Sequence, residues 1–244
     1  MTEILSVKGL TATFDGFCAV DNLNFSVMED ELRVVIGPNG AGKTTLLDLI
    51  CGKTKPTQGS VRFKGQELTG LIDYHITRAG IGRKLQTPSI YQDLTVFENL
   101  EISYPEKRSV IGSLFFQCTS EISEKIHTVA GQIFLLEEID TKAGLLSHGE
   151  KQWLEIGLLL MQDPDLMLLD EPVAGMSARE RDLTAELLGT ISNGRAVVLI
   201  EHDMAFVEKI AHTVTVLHQG KLLAEGSMED VQKDARVIEV YLGN

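Results

Sequence analysis

The residues best suited to chemistry are Gly37-Pro38-Asn39-Gly40-Ala41-Gly42-Lys43-Thr44-Thr45, which fit the spacing G-x-x-x-x-G-K-[ST]. The setting fits too. Leu32–Ile36 (Leu-Arg-Val-Val-Ile) is a short β-like run before them, and residues 45–50 open an apolar helical pattern after them. Backbone N–H groups converge on phosphate oxygens only where the chain takes unusual dihedrals, which Gly37, Gly40 and Gly42 allow at little cost. A helix starting there turns its positive end toward the same anion. Lys43 adds a mobile charge for β and γ phosphates, and the Thr44 hydroxyl can ligate a bridging Mg²⁺. A loop that merely turned a strand into a helix would need glycines but no Lys-Thr pair.

A second constellation supplies what such a loop lacks. Leu166-Met167-Leu168-Leu169-Asp170-Glu171 is four apolar residues ending in two carboxylates. A buried parallel strand reads this way, and open α/β sheets place ligands at its carboxyl end. Asp170 can hold Mg²⁺, usually through water, and Glu171 can orient or deprotonate an attacking water. A further apolar run, Ala196–Ile200, leads into Glu201-His202-Asp203. A lone histidine is most often incidental, but at a strand end in a phosphate-binding sheet His202 is a candidate hydrogen bonder to the γ phosphate.

Other elements must position these groups. Residues 4–13 and 23–27 alternate apolar with polar, as half-buried antiparallel strands do. The intervening stretch holds Phe14 and Phe17, either of which reads as core or as a ring that stacks on a base. Residues 60–64 predict a strand, as do residues 81–86, closed by Gln86 and then Pro88. Residues 95–141 change to helical periodicity: Val96 and Leu100 mark one helix, and Ile122, Ile126, Val129, Ile133 and Leu136 the face of another. Between them Leu114-Phe115-Phe116 reads as subdomain core or a docking tip. Ser147, followed by Glu150, is placed to cap a helix over residues 153–161, which explains both residues structurally. Residues 214–217 and 221–224 predict a hairpin, and Ser227 opens a closing helix.

Bulk properties exclude some classes. The formal net charge of −13 disfavours DNA as a partner, while a local nest of N–H groups still serves one anion. Three dispersed cysteines without a C-x-x-C pair suggest a reducing compartment. The first ten residues do not read as a secretory signal, and no uncharged apolar run approaches the roughly 18 residues of a membrane span.

Taken together and in this order, the motifs resemble the nucleotide-binding subunits of ATP-binding cassette (ABC) transporters over essentially the whole chain. The resemblance implies an α/β fold: a P-loop NTPase (RecA-like) core with an N-terminal antiparallel β subdomain and an inserted α-helical subdomain. It implies one domain, with residues 1–90 and 150–244 as core and about 91–149 as helical subdomain. It makes residues 37–45 the Walker A motif, Asp170 and Glu171 Walker B with its catalytic Glu, and His202 the switch histidine. Phe14 takes the adenine-stacking position. Gln86 takes the Q-loop position, reaching Mg²⁺ and the attacking water and sensing the membrane subunit. Ser147 and Gly149 take the signature positions that bind the γ phosphate of ATP held by an opposite subunit. Here the signature reads Leu-Ser-His-Gly-Glu rather than L-S-G-G-Q, and Ser177 stands in the D-loop where an acidic or amide residue is usual.

Finer texture, including Arg83-Lys84-Leu85-Gln86-Thr87-Pro88-Ser89, Lys151-Gln152-Trp153-Leu154-Glu155-Ile156-Gly157 and Glu171-Pro172-Val173-Ala174-Gly175-Met176, resembles the branched-chain amino acid importer group and, within it, urea importers. The implied activity is ATP hydrolysis with ATP and Mg²⁺, driving import of urea or a short-chain amide. The alternatives are branched-chain amino acid import and a soluble cluster-assembly ATPase. Implied partners are transmembrane permease subunits, a second ATPase subunit and, indirectly, a periplasmic solute-binding protein, with no nucleic acid. The implied location is the cytoplasmic face of the cell membrane.

Overall fold

The computed structural model describes residues 2–84, 90–105 and 118–242. Gln86 and Leu114-Phe115-Phe116 lie outside the described residues. The chain forms two compact units, one of Met1–Arg83, Asp165–Pro172 and Leu188–Asn244, the other of Lys84–Pro164 and Val173–Leu187.

Two sheets build the first unit. The N-terminal one has the order β2-β1-β4-β5, from β1 (Glu3–Phe14), β2 (Phe17–Met28), β4 (Gln58–Phe63) and β5 (Gln66–Glu67), paired antiparallel. The hairpin between β1 and β2 is tighter than the sequence suggests. Phe14 pairs with Phe17 across Asp15-Gly16, and both turn residues have positive φ (46° and 88°). A two-residue turn of that hand matches the twist of the strands it joins.

The larger sheet has the order β10-β9-β3-β8-β7-β6. Its middle consists of β3 (Leu32–Ile36), β8 (Ala196–Ile200) and β7 (Leu166–Asp170), parallel to one another and buried at every residue. Near-continuous apolar runs are what such strands require, and the one charge within β3, Arg33, pairs with Glu31 at 2.9 Å. Each fully buried Val, Leu or Ile there contributes roughly 1.5–3 kcal/mol. β9 (Thr213–His218) adds in parallel, and β10 (Lys221–Gly226) returns antiparallel as the expected hairpin. At the far edge β6 (Ile81–Arg83) stops at Arg83, earlier than the residues 81–86 predicted from sequence.

Register decides what this sheet positions. Val35 pairs with Ile200, and Ile200 pairs with Asp170. The residues that follow the three strands therefore emerge side by side at one edge.

The second unit is helical. Val96–Ile102 begins with a Thr95/Glu98 capping box, Ser120–Gln132 is capped by Thr119, and His148–Gln162 begins with a Ser147/Glu150 capping box. Leu100, Ile126 and Ile133 are fully buried, and a Cβ on Gly157 would come 2.5 Å from Ile133 and 3.1 Å from Leu100. Gly157 thus lets the long helix approach its neighbours closely. Leu136 departs from expectation. The helix ends at Gln132, Phe134 takes a left-handed φ of 61°, and Leu136 lies beyond the helix, exposed. Its i+3 spacing from Ile133 continues the helical period only in sequence.

Candidate functional site

The site at the sheet edge begins with the glycine loop. Gly37, Gly40 and Gly42 all have positive φ (153°, 77° and 97°). Two of them also lack room for a side chain: a Cβ on Gly37 would sit 2.2 Å from the Leu217 carbonyl oxygen, and one on Gly42 2.5 Å from that of Ala19. Gly42 is the cap residue of helix Lys43–Ile50, which carries no side-chain cap. Its first-turn N–H groups remain available to an anion. Lys43 Nζ donates to the carbonyl oxygens of Gly37 (2.7 Å) and Pro38 (3.1 Å), so the ammonium is held across the loop. Burial lowers the Lys43 pKa, and the nearby Glu171 and Asp170 carboxylates oppose that shift.

Asp170 ends β7 with its side chain 3% exposed, and neither carboxylate oxygen has a partner of full hydrogen-bond geometry among the described residues. Burial pushes its carboxyl up, with the Thr44 hydroxyl and Arg83 pulling the other way. A buried carboxylate short of partners beside a threonine hydroxyl suits a hard, oxygen-seeking cation. Among the described residues no group of three or more His, Cys, Asp or Glu forms a metal cage.

Glu171 follows with a left-handed backbone (φ 48°), its N–H donating to the Ile200 carbonyl at 3.0 Å. Such a conformation is uncommon outside glycine and turns the side chain off the strand line. His202 Nδ1 lies 3.6 Å from Glu171 Oε1, and its backbone N–H donates to the buried Glu201 carboxylate at 3.1 Å. The first unit therefore brings together the glycine loop, Lys43, Thr44, Asp170, Glu171 and His202. This constellation can grip a polyphosphate, supply oxygen ligands to its cation, and present a carboxylate to water.

Other sequence-derived candidates fall elsewhere. Phe14 and Phe17 are both exposed (44% and 64%), which overturns the core reading of either ring: they form the last strand pair before the turn, at the outer end of the hairpin. Ser147 and Gly149 belong to the second unit, where Ser147 Oγ accepts from the Glu150 N–H (3.3 Å) and the Glu150 carboxylate accepts from the Ser147 N–H (2.7 Å).

Two of the buried contacts not anticipated from sequence involve Arg83 and Lys84, at the end of β6. Arg83 pairs with Asp48 and donates to Cys51 Sγ (3.0 Å) on the helix after the loop. In the second unit Lys84 pairs with Glu155 at 2.9 Å, both side chains 4% exposed. A signal existed: Glu155 interrupts the run Trp153-Leu154-Glu155-Ile156, and a charge inside an apolar helix stretch calls for a buried partner.

Comparison with known proteins agrees with this geometry. A family model described as "ABC transporter" matches residues 20–174, and one described as "Branched-chain amino acid ATP-binding cassette transporter" matches residues 221–244. The chain is 35% identical to the high-affinity branched-chain amino acid transport ATP-binding protein LivG of Escherichia coli (strain K12), covering 98% of each chain. It is also 35% identical to BraF of Pseudomonas aeruginosa, a protein of the same description, again over 98% of each chain. Among solved structures, the ADP conformation of an ATP-binding cassette of an ABC transporter superposes with a TM-score of 0.88 at 31% identity over 100% of both chains.

Proposed function

Since this chain belongs to the ATP-binding subunits of ABC transporters, we propose that it energises import of a branched-chain amino acid, acting as one of two paired subunits beneath a permease. It is an ATPase of the P-loop fold. The convergence of Lys43, Asp170, Glu171 and His202 at the ends of β3, β7 and β8 is the observation that carries the catalytic reading.

The roles follow from position. Residues 37–45 hold the phosphates, with Lys43 balancing the charge that develops as the γ phosphate departs. Thr44 and Asp170 would hold Mg²⁺, which would supply positive charge to offset that of the phosphates. Glu171 takes a proton from the attacking water, and His202 steadies Glu171 and the γ phosphate. Gln86, outside the described residues, keeps its proposed role at the cation and the attacking water. Ser147 and Gly149 meet the ATP of the opposite subunit, so the pair closes on ATP and opens once the γ phosphate is cut. The whole chain is one cassette in this reading. Its partners are permease subunits, a second copy or a related ATPase, and indirectly a periplasmic solute-binding protein. No described helix is long and apolar enough to cross a membrane; in this reading the chain sits at the cytoplasmic face, attached through the permease.

Phe14 stacks on the adenine. Phe14→Ala is expected to weaken ATP binding by about 1–3 kcal/mol, whereas Phe17→Ala, on the other arm of the same turn, changes it little. A titration in which both variants lose affinity equally would remove Phe14 from this role.

Cargo is inferred from kinship. LivG and BraF are named for branched-chain amino acid transport, which favours that reading over urea. Labelled leucine and labelled urea, offered separately to cells carrying either the intact gene or its Lys43→Ala variant, decide between them. Loss of leucine uptake alone is expected. Loss of urea uptake with leucine uptake retained would return the cargo to urea.

A further inference from the structure

His148 stands inside the signature, and in the second unit its Nε2 lies 3.0 Å from the carbonyl oxygen of Ala174. A carbonyl only accepts, so Nε2 carries the proton and the imidazole donates. The fit continues around this bond. A Cβ on Gly175 would come 3.1 Å from the His148 ring, and one on Gly149 would fall 2.1 Å from Glu180 Oε1. Glu180 is itself fixed. Its carboxylate accepts from the Ser177 N–H (2.7 Å) and Ser177 Oγ accepts from the Glu180 N–H (3.3 Å); hydrogen bonds to the carboxylate from the Ser177 hydroxyl and then the Ser177 N–H lower its pKa, with His148 adding to the effect. One helical turn further, Trp153 Nε1 donates to Thr184 Oγ1 at 2.8 Å.

Three contacts in succession therefore join helix His148–Gln162 to the segment 174–184: an imidazole on a loop carbonyl, a carboxylate over a glycine, and an indole on a hydroxyl. The last two join helix to helix. The first reaches the loop itself. The departures at His148 and Ser177 each acquire a partner here, His148 as donor to the loop and Ser177 as cap of the helix that follows it.

We propose that His148 is a positioning residue for ATP turnover: its bond to Ala174 makes loop 174–177 travel with Ser147 and Gly149. This rests on the signature reading given above. When Ser147 and Gly149 engage ATP on the opposite subunit, the loop arrives with them in a fixed register. Without the bond, the loop must be ordered separately at each closure. That cost falls on the closed, reacting state and leaves the grip of the Lys43 loop alone.

Steady-state ATP hydrolysis by the transporter complex tests this. His148→Ala is expected to lower kcat about tenfold, the scale of one lost hydrogen bond, with KM for ATP changed less than about twofold. His148→Gln, whose amide nitrogen reaches as far as Nε2, restores most of kcat. His148→Asn, whose shorter amide reaches only as far as Nδ1, does not. Rescue by one amide and not the other is a result that loss of packing alone would not give, and it stands even where the alanine variant folds poorly. Wild-type kcat in His148→Ala, equal behaviour of Gln and Asn, or a change confined to KM would overturn the proposal. Lys43→Ala in the same assay separates the two levels: unimpaired turnover there defeats the phosphate-loop reading itself, while unimpaired turnover in His148→Ala alone defeats only the positioning role.

Discussion

Glu171→Gln is expected to lower ATP turnover by about 10²- to 10⁴-fold, the contribution of a positioned general base, while nucleotide still binds. Glu171 stands one residue past the strand, in a left-handed backbone that aims its carboxylate away from the buried sheet, 3.6 Å from His202. Glutamine keeps that shape and the capacity to meet the imidazole, but it cannot accept a proton from water at neutral pH. In the proposed reading the phosphate grip lies in other residues, Lys43 and the N–H groups of the loop, so affinity should survive. Phosphate release and nucleotide titration on the same preparation read the two quantities separately. Hydrolysis at the wild-type rate would transfer the base to another group, and a parallel loss of affinity would mean that Glu171 holds the loop in shape.

The second large effect concerns stability. Lys84→Met leaves the Glu155 carboxylate without its ammonium in a place where both side chains are 4% exposed, and such a loss costs about 3–5 kcal/mol. Replacing both partners, Lys84→Met with Glu155→Leu, removes the buried carboxylate along with the ammonium and is expected to recover most of the loss, since buried ion pairs often exchange for apolar ones at little net cost. Glu155 lies in the stretch Trp153–Met161, buried at every residue and otherwise apolar or glycine, so an apolar side chain suits its position. Denaturant midpoints of the single and double variants give the comparison. A single variant within about 1 kcal/mol of wild type would show that water reaches the pair and screens it.

Local chemistry explains why much of the phosphate site was legible beforehand. The glycine loop needs positive φ and close backbone approach at fixed offsets, so its spacing encodes its shape. The continuous apolar runs before Asp170 and His202 announce buried parallel strands, whose carboxyl ends serve ligands. Capping boxes at Ser147 and Ser227 were equally readable, because both partners lie within three residues of each other. The errors have the same origin in reverse. The core alternative for Phe14 and Phe17 followed residue type, yet both stand exposed at the last strand pair before a two-residue turn. Leu136 continues a helical period by count, yet the left-handed Phe134 has already ended the helix.

What the sequence by itself determined was the kind of chemistry and the strands that carry it, since those depend on residue types a few positions apart. The tertiary structure alone decided which side chains become partners across long separations: Lys84 with Glu155, His148 with Ala174, Glu180 over Gly149, Glu171 with His202. Strand register and helix packing bring these groups together, and both are settled by burial of the whole core rather than by any short stretch of chain.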